Sequence, residues 1–97
     1  MLDIEMFSTQ LPPRLQKLVD LGESATDILH GELKNLMYEA GKELEEAQRI
    51  EEENDYSDAM ESMERKYWEG QCDALTGAYA LTYQLAFAIQ ERAKKNG

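Results

Sequence analysis

Ninety-seven residues set the scale of one small domain, with room for one modest core and much to gain from self-association. Ten basic residues against twenty acidic ones leave a formal charge of −10 with no basic patch, which excludes direct nucleic-acid binding and an anionic membrane surface as expected partners. Cys72 is the single cysteine, so no internal disulfide is possible, and the segment Met1 to Phe7 is acidic where an export signal is basic; a cytoplasmic setting is expected.

In chain order, residues 1–12 read as an extended arm ending at Pro12-Pro13, where proline fits the first turn of a short helix over 13–21. Gly22 can supply a left-handed stop, with a continuous helix through it as the alternative at a cost of about 1 kcal/mol, and Ser24 with Asp27 three residues later resembles an N-terminal cap. A long helix follows over 25–53, because Ile28, Leu29, Leu33, Leu36, Met37, Ala40, Leu44 and Ala47 recur at three- and four-residue steps. The acidic run Glu51-Glu52-Glu53 opposes the dipole at that helix's C-terminus, so the helix is expected to stop there with Asn54 as its cap. Asp55 or Ser57 then caps a third helix over 57–94, which closes on Arg92, Lys94 and Lys95, cations suited to a C-terminus.

The third helix differs in kind from the second. One stripe is Tyr67, Ala74, Ala78, Leu81, Leu85 and Ala88; a second is Trp68, Cys72, Leu75, Tyr79, Thr82, Ala86 and Ile89; a third is Thr76, Ala80, Tyr83 and Phe87. A helix apolar on every side has to be covered on every side, and one partner helix from the same chain cannot do that. The expected fold is therefore all-α: a hairpin of two long helices plus a short N-terminal helix, dimerising into a four-helix bundle with the third helices central. The uncharged run Ala74 to Gln90 is too short and too polar for a membrane span, and reads as this covered helix.

Two pairs of acids, Glu39 with Glu43 and Glu69 with Asp73, stand at one-turn spacing on opposite arms of the hairpin. A reversal near Asn54 to Ser57 brings Glu39 level with Asp73 and Glu43 level with Glu69. Carboxylates that converge without a cation repel, and the usual relief is a divalent ion with oxygen ligands, Mg2+ where a phosphate substrate completes the shell. The competing reading makes Glu39 and Glu43 a solvated flank and lets Glu69 and Asp73 reach water at the end of the bundle. His30 is the single histidine and reads as a capped or surface residue, and Cys72 as a small buried apolar group.

The stretch Met37-Tyr38-Glu39-Ala40-Gly41-Lys42-Glu43-Leu44 is similar to the first acidic motif of the all-α nucleotide pyrophosphohydrolases, the MazG and phosphoribosyl-ATP pyrophosphohydrolase-like family. That motif has two adjacent glutamates, a third three residues later, then leucine. Glu39, Glu43 and Leu44 match, and Ala40 stands where the second glutamate belongs. Glu69-Gly70-Gln71-Cys72-Asp73-Ala74-Leu75 resembles the second motif: Asp73 and Leu75 match, Gly70 replaces a glutamate beside Glu69, and Gly77 replaces an aspartate common in phage-type members. The resemblance implies a Mg2+-dependent enzyme, of phage origin, that splits a nucleoside triphosphate into monophosphate and pyrophosphate. Glu39, Glu43 and Asp73 would be its metal ligands and Glu69 a replacement ligand or the group that orients the attacking water. This enzyme is the leading expectation; the alternative, supported by the departures at acidic positions, the small size and the charge, is a non-enzymatic acidic helical dimer that binds or inhibits a host protein.

Overall fold

The computed structural model describes residues 10–96, so most of the expected arm, residues 1–9, lies outside the described residues. Three helices follow in order, α1 over Pro13–Asp20, α2 over Ala25–Glu53 and α3 over Ala59–Asn96.

α1 ends as its sequence dictates. Gly22 takes φ +87°, its N–H donates to the Val19 carbonyl, and the Glu23 N–H reaches back to Leu18, so two of the orphan carbonyls at the helix end are satisfied. No residue of α1 is buried, and the helix is held to α2 by an ion pair between Arg14 and Glu32 at 2.8 Å. α2 opens on Ser24, whose hydroxyl accepts from the Asp27 N–H at 3.1 Å. The first turn of α2 lies against the C-terminal half of α3, where Thr26 and Asp27 share a groove with Ala86, Ile89 and Gln90. Ser24→Ala is therefore expected to cost about 1 kcal/mol, read as a lower urea midpoint with an unchanged slope.

The reversal falls within the expected residues 54–57, but the cap of α3 is a different residue from those expected. Asp55 and Tyr56 both take positive φ, 53° and 59°, and turn the chain. Neither Asp55 nor Ser57 caps α3. Asp58 does: its carboxylate accepts from the Met60 N–H at 2.9 Å, and its carbonyl accepts from Glu61 and Ser62. Ser57 instead donates its hydroxyl to the Asn54 carbonyl, closing the end of α2.

α2 and α3 run antiparallel, because His30 meets Thr82 at one end of the pair and Glu51 meets Ser62 at the other. The seam of α2 steps by four and three through Thr26, His30, Leu33, Met37, Ala40, Leu44, Ala47 and Glu51, all buried or half-buried. From α3 it receives Arg65, Trp68, Cys72, Leu75, Tyr79, Thr82 and Ala86, again at alternating steps of three and four. This is the seven-residue repeat of a two-stranded helical pair. Its apolar content is small: among the described residues, the buried hydrophobic side chains are Leu33, Ala40 and Ala47.

Candidate functional site

The antiparallel register sets the heights of the four acids. With His30 at Thr82 and Glu51 at Ser62, Glu39 stands level with Asp73 and Glu43 with Glu69, as the position of the turn requires. Height is not convergence. Glu39 and Glu43 are exposed and line an open groove with Leu36, Ala40, Tyr67, Trp68, Gln71 and Leu75. Neither Glu69 nor Asp73 lines that groove. Glu69 is held by Arg65 at 2.7 Å, and Arg65 lines a different groove with Gln48, Glu51, Glu52 and Tyr56. Asp73, one turn beyond Glu69, is exposed.

Within one hairpin Glu39, Glu43, Glu69 and Asp73 share a height without coming together: among the described residues, no group of three or more His, Cys, Asp or Glu side chains is placed to hold a metal ion. The cause is rotational. On α3 the residues that turn toward Glu39 and Glu43 are Tyr67, Trp68 and Gln71. Successive helical residues are about 100° apart, so Glu69 and Asp73 project away from that side.

The buried polar chemistry lies in two clusters at opposite ends of the seam. Glu51 is the most enclosed side chain, 1% exposed. Its carboxylate accepts from the Ser62 hydroxyl and from Arg65 Nε at 2.6 Å, and Arg65 donates onward through Nη1 to Glu69. The Ser62 hydrogen bond, more than the Arg65 charge, holds the Glu51 carboxyl below the usual carboxylate range against the opposing effect of burial. Its bonds to Glu69 and Glu51 raise the Arg65 guanidinium correspondingly, so it stays charged. The acidic run Glu51-Glu52-Glu53 at the end of α2 is split by the packing. Only Glu52 and Glu53 are exposed, because the seam repeat passes through Ala47 to Glu51.

At the other end, the expected surface His30 is half-buried. Its Nδ1 lies 2.8 Å from Thr82 Oγ1, and its ring stacks on Tyr79 with centroids 4.2 Å apart. The Thr82 hydroxyl donates to the Tyr79 carbonyl at 2.8 Å, so its proton is committed there and Nδ1–H of His30 is the donor between the two. The missed signal was available: His30 falls four residues after Thr26 and three before Leu33, on the seam. Both clusters are closed by their own partners and fix the pairing of the helices.

Among the described residues, no helix is long and apolar enough to cross a membrane. Compared with protein families, with curated proteins and with solved structures, the chain has no significant match in any of the three.

Proposed function

We propose that this chain is a non-enzymatic helical interaction module. Two copies join through the uncovered side of α3 into a four-helix bundle, and the acidic outer faces bind a basic protein surface. One observation carries the reading: Tyr83 and Phe87, one turn apart on the same side of α3, are each more than half exposed, and Leu81, Leu85 and Ile89 are about half exposed or more on another side of the same helix. A soluble monomer rarely leaves such a surface to water.

The outer partner is inferred from charge. Glu52, Asp55 and Asp58 crowd the turn end of the hairpin, all exposed, in a chain of net charge −10. Glu52→Gln with Asp55→Asn is expected to weaken binding to a basic partner and to flatten its salt dependence. Binding indifferent to both changes contradicts this part of the reading.

The nucleotide pyrophosphohydrolase is the second reading, supported by the resemblance of residues 37–47 and 69–75 and by the equal height of Glu39 and Asp73. It requires Glu39, Glu43 and Asp73 to take up Mg2+ together, with Glu69 released from Arg65. Pyrophosphate release from nucleoside triphosphates with and without Mg2+ separates the two readings. The interaction module predicts none above background. Mg2+-dependent release that Asp73→Asn abolishes reverses their order.

A further inference from the structure

The side of α3 that α2 leaves open has its own repeat. Glu69, Asp73, Thr76, Ala80, Tyr83, Phe87, Gln90 and Lys94 step by four and three along one line adjacent to the seam. All except Glu69 are exposed, and Glu69 is half-buried. The line is polar and acidic at one end, apolar in the middle and basic at the other. That order constrains how two copies can meet.

Placed antiparallel about a two-fold axis between Ala80 and Tyr83, each line meets its own reverse. Ala80 then faces the second copy's Tyr83, Thr76 faces Phe87, Asp73 faces Gln90 and Glu69 faces Lys94. Each large ring meets a small residue, and the carboxylate at one end meets the ammonium at the other. The parallel arrangement stacks Tyr83 on Tyr83 and Phe87 on Phe87, and sets Glu69, Asp73 and Lys94 each against its own like charge. Self-complementarity under a two-fold axis is what a two-chain interface demands, and like charges held opposite one another oppose the parallel form.

We infer that α3 pairs with α3 of a second copy antiparallel, with its axis between Ala80 and Tyr83 and with Glu69 joined to the second copy's Lys94 at each end. This rests on the reading that a second copy covers α3, and it adds the orientation, the register and a charged latch. Both latch groups have partners within their own chain: Arg65 holds Glu69 at 2.7 Å and Glu91 lies 3.3 Å from Lys94. A carboxylate accepts several hydrogen bonds and an ammonium donates three, so each has capacity for one more. The chain's acidic network of Glu51, Arg65 and Glu69 would thereby extend across the interface.

The test places a spin label on Arg92→Cys in a Cys72→Ala background, because Arg92 is exposed and lies off the line. Double electron–electron resonance then reads the distance between the two labels. The proposed register separates them by about 30 Å along the helix axis, from a rise of 1.5 Å per residue. A parallel pair sets them level, separated only by the helix spacing and the label arms, and overturns the proposal while leaving the self-association reading intact. Absence of any intermolecular distance, with a monomeric mass in solution, overturns both. Lys94→Glu provides the second measurement: the dimer dissociation constant is expected to rise roughly threefold to thirtyfold, as two symmetry-related exposed pairs are lost. An unchanged constant removes the latch.

Discussion

Phe87→Glu is expected to convert a two-chain particle into separated chains and to unfold most of them. Phe87 is 55% exposed in one chain and sits on a line of α3 that no other described element covers. Covering a phenylalanine side chain stabilises by roughly 1.5–3 kcal/mol, and a two-fold interface loses two of them, before the cost of enclosing a carboxylate. The dissociation constant should therefore rise by roughly 10²- to 10⁴-fold. Folding is affected as well, because among the described residues the single hairpin buries only Leu33, Ala40 and Ala47 as apolar side chains, and the proposed association would supply most of the remaining core. Circular dichroism and sedimentation should show helix and mass lost together, with a melting temperature that falls on dilution. Tyr83→Glu should behave alike, whereas Phe87→Leu, which keeps the face apolar, should retain the two-chain mass. A variant Phe87→Glu that remains fully helical and of unchanged mass places the interface elsewhere.

Glu51→Ala is the second large effect, expected to lower the melting temperature by roughly 5 °C or more. The change leaves Arg65 half-buried with only Glu69 to neutralise it and strips Ser62 of its acceptor. Glu51→Gln keeps the shape and isolates the charge. The Glu51 carboxyl titrates below its ordinary value of 4.5 in the folded chain, chiefly through Ser62 and then through Arg65. A depressed carboxylate contributes stability that is present above its unfolded value and lost as the pH falls through the folded one. Acidification also discharges the other carboxylates and relieves repulsion in a chain of net charge −10, which acts in the opposite sense. The difference between wild type and Glu51→Gln removes that shared background. It should be largest near neutral pH and shrink below about pH 4.5. A difference that is flat with pH, or that grows on acidification, contradicts the assigned network.

What the sequence made legible was whatever a seven-residue repeat or a local cap encodes. The second stripe of α3, Trp68 through Ala86, is the one that α2 covers, and Gly22 and Ser24 bound their helices through interactions within five residues. The turn was less legible, since Asn54, Asp55, Ser57 and Asp58 are all chemically able to cap and only the backbone at Asp55 and Tyr56 selects Asp58. The four acids are legible only in part. Spacing along each helix gives height correctly but leaves the rotation of one helix against the other unspecified, and that rotation puts Glu39 and Glu43 beside Trp68 and Gln71 while Glu69 faces Arg65. His30 and Glu51 were missed because polar side chains were read as surface, although both fall on the repeat that runs through Leu33, Ala40 and Ala47.

The mass of the protein in solution bears most directly on all of this. Multi-angle light scattering across micromolar concentrations should give twice 11.1 kDa, shifting toward one chain only on strong dilution and with parallel loss of helix. A fully helical, concentration-independent particle of 11.1 kDa, with Tyr83 and Phe87 left in water, would contradict it.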